Sequence, residues 1–199
     1  CSILLKIRGE LMQNAYETNM SGMAAIIGMN CEKVENLIKI NKLNLEIAND
    51  NSPMQIVISG GKSDLLLAEN IFKINGAKKY VLLNVSAAFH SKYMLKAQNE
   101  MNKYIDKCSF KNSSISIVSN YNGEITNNKD LLAFNLSKQM SSRVRWVQSI
   151  NSLSKVDVNR IIEIGPGKVL SGLIKRINDK YEIVNIDIIS DISKINNEH

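Results

Sequence analysis

Histidine, cysteine and aromatic residues are scarce in this chain. Its 199 residues include two histidines, His90 and His199, and three cysteines, Cys1, Cys31 and Cys108. The cysteines form no CxxC pair and take no metal-ligand spacing with a histidine, which argues against a site of that kind. An odd, sparse count points to a reducing compartment, so a cytoplasmic location is expected. Aromatics make up 6% of the chain and the lysines are scattered rather than clustered. A nucleic-acid binder would concentrate basic residues on one face and interleave stacking rings, so no nucleic-acid partner is expected. No apolar run approaches the ~20 residues of a membrane span. The start, "CSILLKIRGE", has neither an initiator methionine nor a signal-peptide layout, and the chain is expected to begin partway through a longer protein.

What is present is the composition of a globular protein, 44% hydrophobic and 22% charged. The formal net charge of +6 permits an acidic partner, though a solvated lysine-rich surface explains it equally. Apolar periodicity predicts a helix from Ile3 to Tyr16, with Leu4, Leu11, Met12 and Ala15 on one arc. "GMAAIIGM" reads as a strand, and Asn30 as the cap of a helix through "CEKVENLIKI". "LEIAND" and "MQIVISG" are strands around the turn chemistry of "NDNSP". A second helix runs through "KSDLLLAENIFKINGA", with Ser63 as its cap and Gly76 past its end, and "KKYVLLNVSA" is a fourth strand. The order β-α-β-β-α-β predicts a ferredoxin-like subdomain at residues 21–88. Residues 1–20 and 89–199 supply the rest. A helix carrying Cys108 on its apolar stripe leads to a strand in "SISIVSN" and the turn "YNGE". Helices through "NKDLLAFNLSKQM" and "VRWVQSINSLSK" come next, then a buried strand "RIIEI", the turn "GPGK", a helix and the strand "YEIVNIDI". Alternating helices and strands predict an α/β domain with a largely parallel sheet.

Four features could carry chemistry. His90 lies just past a strand, where a neutral imidazole could take a proton from a hydroxyl or thiol; a histidine satisfied by backbone groups fits the position equally. Arg8 falls mid-arc on the first helix, where an unpaired buried charge is costly. It either grips a carboxylate or phosphate with its planar fork, or pairs internally with a residue such as Glu163 or Asp187. "EIGPGKV" offers helix-terminal amides to an anion, or is simply a tight βα turn. Cys31 sits in a predicted first helical turn, where a thiol pKa can fall, but nothing brings it to His90. No GxSxG elbow exists in the chain, so a base and an anion binder stand without the nucleophile they would serve.

Several stretches together resemble the malonyl-CoA:acyl carrier protein transacylase family. "IRGELMQNA" is similar to its R-G-x-x-M-Q segment, and "GMAAIIG" to the strand opening its small subdomain. "NDNSPMQIVISG" is similar to its N-x-N-S-P hairpin, "VSAAFHSKYM" to its V-S-x-x-F-H-S-x-x-M segment, and "EIGPGKVLSGLIKRI" to a segment near its C-terminus. The resemblance implies an incomplete parallel-sheet acyltransferase domain with an inserted ferredoxin-like subdomain. It implies Ser–His ping-pong transfer of malonyl from coenzyme A to the phosphopantetheine thiol of acyl carrier protein in fatty acid synthesis. His90 would be the general base, Arg8 would hold the malonyl carboxylate, and Phe89 matches the malonyl-selective form of its segment. Asn49 and Asn51, from the hairpin motif, would support the site. Arg145 stands where the family often has a glutamine that orients the histidine through the backbone. Malonyl-CoA enters as substrate and no metal or redox cofactor is implied. The family's serine, in a G-H-S-x-G elbow upstream of the arginine helix, is absent from this chain. Alone, it is expected to be inactive. A non-catalytic remnant, or a module that binds the carrier protein, is the alternative.

Overall fold

The computed structural model describes residues 2–15 and 20–196 of the chain. Helix α1 (Ser2–Gln13) opens the fold, and its predicted end at Tyr16 lies outside the described residues, as do Cys1 and His199. Strand β1 (Ser21–Ile27) follows, ending where Gly28 takes φ 95°. A side chain at Gly28 is excluded, because its Cβ would lie 2.6 Å from Cγ of Lys78. Helix α2 (Cys31–Ile40) starts at Asn30, whose side chain accepts the Lys33 amide at 2.9 Å. Strands β2 (Leu45–Ser52) and β3 (Gln55–Gly61) turn through Pro53 and Met54. Helix α3 (Lys62–Ile74) then leads to strand β4 (Lys79–Leu82). Gly61, not Ser63, is the N-cap residue of α3, and no side chain caps it. The helix starts two residues earlier than a cap at Ser63 would place it.

The four strands form one antiparallel sheet in the order β2-β3-β1-β4. On one face, Ala24, Ile26, Ile47, Ile56 and Ile58 pack with Leu65, Ala68 and Phe72 of α3 and Val34 of α2. The spacing of Leu65, Ala68 and Phe72 is what puts them on one side of a helix. Phe72 stacks on Tyr80 with ring centroids 6.1 Å apart, and the Tyr80 hydroxyl donates to the Leu65 carbonyl at 2.6 Å. Alternation sends Met23, Ala25, Ala48 and Val57 to the opposite face, where Phe89 packs against them.

After a 3-10 turn (Lys92–Met94), helix α4 (Leu95–Ile105) buries Ala97, Met101 and Ile105 with Met12 of α1 and Met140. Strands β5 (Ile117–Val118) and β6 (Ile125–Thr126) form a short hairpin around Gly123 at φ 69°. Only two residues of "SISIVSN" are in that strand. Helices α5 (Lys129–Lys138) and α6 (Trp146–Ser152) follow, α5 being capped by the Asn128 side chain on the amides of Asp130 and Leu131. Strand β7 (Arg160–Ile164), helix α7 (Val169–Ile177) and strand β8 (Glu182–Ile186) make a β-α-β unit with parallel strands, and a short helix α8 (Ser193–Asn196) ends the described chain.

The antiparallel four-stranded sheet lies in the β-α-β-β-α-β stretch expected at residues 21–88, and of the largely parallel sheet expected beyond it the described residues hold one parallel pair. β7 is also less buried than its sequence suggested: Ile162 and Ile164 are 38% and 78% exposed. Each strand of that pair has a single described neighbour, which leaves an edge and apolar surface uncovered. Cys108 lies past the end of α4 and is partly buried rather than in the core.

Candidate active site

His90 follows Phe89 out of the extended segment after β4 and turns the chain with φ 56°. A positive φ is uncommon for a residue other than glycine and is strained unless its surroundings hold it. Ser91 supplies part of that hold. Its buried hydroxyl donates to the Ala88 carbonyl at 2.6 Å and accepts the Tyr93 amide at 3.3 Å. The Ala88 amide in turn donates to the Ser21 hydroxyl at 3.2 Å, which ties the turn to the start of β1.

The imidazole is held from the other side by the loop between α5 and α6. Its Nδ1 lies 3.2 Å from the carbonyl oxygens of both Gln139 and Ser142. Carbonyls only accept, so this nitrogen carries the proton and the lone pair of the neutral ring is left on Nε2. Burial pushes the His90 pKa below its ordinary value, the nearby Arg8 charge adds to that, and the two carbonyl bonds oppose it. The ring is therefore neutral near pH 7, oriented, and able to take a proton at Nε2.

Arg8 is half-buried on α1 and lies close enough for its charge to act on His90. Burial lowers its own pKa. Neither carboxylate considered as its internal partner engages it. Glu163 accepts the Leu170 and Ser171 amides at 2.9 and 2.8 Å, together with the Ser171 hydroxyl and the Asn185 amide group. Asp187 accepts the Gly167 amide at 3.3 Å. Arg8 has no carboxylate partner among the described residues. The same bonds bear on the "GPGK" turn, because Glu163 occupies two of the first amides of α7, those of Leu170 and Ser171.

Phe89 packs between the back of the four-stranded sheet and the α1–α4 cluster. Asn49 and Asn51 lie on β2, Asn49 beside a bridge to Val144. Arg145 does not engage His90. Its Nε donates to the Tyr121 carbonyl at 3.1 Å and its amide to the Asn120 carbonyl at 2.9 Å. The backbone carbonyls that orient the histidine come from Gln139 and Ser142, which the sequence reading missed. A backbone contact leaves no side-chain signature of its own, and the motif position expected to orient the histidine, Arg145, lies three residues past Ser142. Cys31 is accounted for differently from the expectation of a lowered pKa. Burial pushes its thiol up to about 11, and the Arg143 guanidinium and Glu35 carboxylate contact its sulfur. It is no nucleophile for His90.

No protein-family model matches the chain. Curated relatives do. The chain is 37% identical over 182 residues to a malonyl CoA-acyl carrier protein transacylase from Bacillus subtilis (strain 168), covering 90% of the chain and 57% of that protein. It is 36% identical over 195 residues to the protein of the same name from Staphylococcus aureus (strain COL), covering 95% of the chain and 62% of the relative. Among solved structures, an acyl carrier protein S-malonyltransferase from Vibrio cholerae superposes with a TM-score of 0.92 at 31% identity, covering 97% of this chain and 64% of the other. A malonyl-transacylase in complex with a type II PKS acyl-carrier protein superposes with a TM-score of 0.91 at 30% identity, covering 98% and 64%. The chain therefore spans less than two thirds of the length of these relatives.

Proposed function

We infer that this chain, a homologue of the malonyl CoA-acyl carrier protein transacylases, supplies the general base and the carboxylate clamp of a malonyl transfer site. The observation that carries the reading is the pairing of a neutral, oriented His90 with an Arg8 charge that no described carboxylate neutralises. The nucleophile in this reading is a serine outside these 199 residues. Its hydroxyl proton passes to Nε2 of His90 as its oxygen attacks the malonyl thioester. The proton then leaves with the coenzyme A thiolate. In the second half-reaction His90 takes the proton of the phosphopantetheine thiol of acyl carrier protein, whose sulfur attacks the acyl-serine, and returns it to the serine oxygen. Arg8 holds the distal carboxylate throughout by two charge-assisted hydrogen bonds. No step calls for a metal or redox cofactor.

We read residues 21–88 as the small subdomain of the larger acyltransferase domain, and residues 1–20 and 89–199 as part of the remainder. The strand order β2-β3-β1-β4 and the separate core of that sheet support this division. No described helix is long and apolar enough to cross a membrane.

The test joins the chain to a serine-bearing segment and follows radiolabel from malonyl-CoA. The joined protein should take up covalent label and pass it to acyl carrier protein. His90→Ala should abolish both steps. Label that forms and transfers at the same rate without His90 would sink the reading. A protein that binds acyl carrier protein but never takes label would favour the carrier-binding alternative.

A further inference from the structure

We infer that Arg143 is a positioning residue for His90, acting through the loop whose carbonyls hold the imidazole. Arg143 directly follows Ser142, one of the two residues whose carbonyl oxygens bind Nδ1. Its side chain is 20% exposed and leaves the loop in the opposite sense, toward the four-stranded unit. There Nη1 meets the Glu35 carboxylate of α2 at 2.6 Å, and Nη2 meets Asp50 of β2 at 3.3 Å and the sulfur of Cys31. One guanidinium thus fastens the histidine loop to two elements of the other core.

The backbone bonds beside it run the same way. The Val144 amide donates to the Ala48 carbonyl at 2.7 Å, and the Asp50 amide donates to the Val144 carbonyl at 2.9 Å. They fix residue 144 against β2, and neither of them is made by the Ser142–Arg143 peptide. On the far side, the Ser141 amide and hydroxyl both bind the Gln98 side chain, at 3.2 and 2.7 Å. The peptide that presents the Ser142 carbonyl lies between these two anchors, and the Arg143 side chain determines its orientation. The sequence points nowhere else for this role: Arg145, two residues on, spends its side chain on Tyr121.

The inference rests on His90 being the base, so the test reads the ring rather than turnover. Nitrogen-15 spectra of the chain report which ring nitrogen carries the proton, and His199 is the only other histidine. Wild-type His90 should be protonated on Nδ1 across the neutral range. Arg143→Gln should move most of the population to Nε2–H, the form free histidine favours, and Arg143→Lys should restore much of the wild-type signal. Asp50→Asn, which keeps the β2 backbone and removes a carboxylate from the guanidinium, should shift the same signal less far. It stands in if Arg143→Gln does not fold. A folded Arg143→Gln that keeps the wild-type Nδ1 proton would overturn the inference. So would a Lys variant no better than Gln, or, where only Asp50→Asn folds, an unchanged signal in that variant. An unmoved ring would refute the positioning role alone. Loss of function in His90→Ala tests the base itself.

Discussion

Ser91 directly follows His90, and removing its hydroxyl should cost stability for a reason that can be worked out bond by bond. The side chain is fully buried, as is Ala88, whose carbonyl accepts the Ser91 proton at 2.6 Å. Ser91→Ala leaves that carbonyl without a donor in a place water does not reach. An orphaned buried acceptor costs about 1–3 kcal/mol. The second bond, from the Tyr93 amide, is long at 3.3 Å and caps only a three-residue 3-10 turn. Its loss adds about 0.5 kcal/mol, the low end for a helix cap. The sum is roughly 1.5–3.5 kcal/mol, which for a chain of this size lowers Tm by about 3–14 °C.

Urea unfolding followed by circular dichroism and by Trp146, the only tryptophan, would measure the loss. Ser91→Cys, with a weaker donor of similar shape, should recover part of it. A change below about 0.5 kcal/mol in Ser91→Ala would refute the reasoning, because a free surface serine costs no more than that. The same geometry denies Ser91 the role of nucleophile. Its proton is committed to Ala88 and its oxygen is sealed from solvent, so malonyl-CoA should leave no label on it.

Three further outcomes follow from the site. In the serine-joined protein, Arg8→Ala should lower the kcat/KM preference for malonyl over acetyl by on the order of 10–100-fold, the loss of charge-assisted bonds worth about 1.5–3 kcal/mol; an unchanged ratio would remove Arg8 from the site. The His90 pKa is depressed in the folded chain, so the unfolded state binds more protons below the ordinary 6.5 and stability falls as pH drops through that value. His90→Asn, which tolerates positive φ, should flatten that part of the stability profile relative to wild type, while Asp50, shifted the other way by burial, is common to both and cancels; parallel profiles would contradict a depressed histidine. Native Cys31, its thiol pushed up to about 11, should alkylate more slowly at mildly basic pH than in urea, and equal rates would contradict its burial.

Much of the fold was legible because local chemistry settles it. Asn30 announces a helix start through its side-chain cap, and the "YNGE" turn places Gly123 at positive φ. What failed was what depends on neighbours. β7 carries the apolar run of an interior strand, yet its burial is set by how many strands flank it, which its own residues do not encode. Ser63 looks like a cap, but α3 begins at Lys62, with Gly61 in extended geometry before it. Of the groups around the imidazole, His90 and Arg8 could be picked out as side chains. The groups that act through the backbone, Gln139 and Ser142, could not.

That division follows from how the site is assembled. Phe89 packs against the back of the antiparallel sheet and also against the α1–α4 cluster, so the residue before His90 belongs to both cores. His90 then reverses the chain at φ 56° and presents its ring to carbonyls from a third element, the loop after α5. None of these parts alone fixes the imidazole. The strained turn needs the Ser91–Ala88 bond, the tautomer needs the carbonyls, and the carbonyls need a loop tied on one side to Gln98 and on the other to Glu35 and Asp50. A substitution that loosens one core against the other should therefore misplace the base before it unfolds either core. Val57→Ala, on the sheet face against Phe89, is the direct case. It should cost about 1–3 kcal/mol of stability and also raise the Nε2–H fraction of His90. A stability loss with an unmoved ring would mean that Phe89 does not couple the two cores.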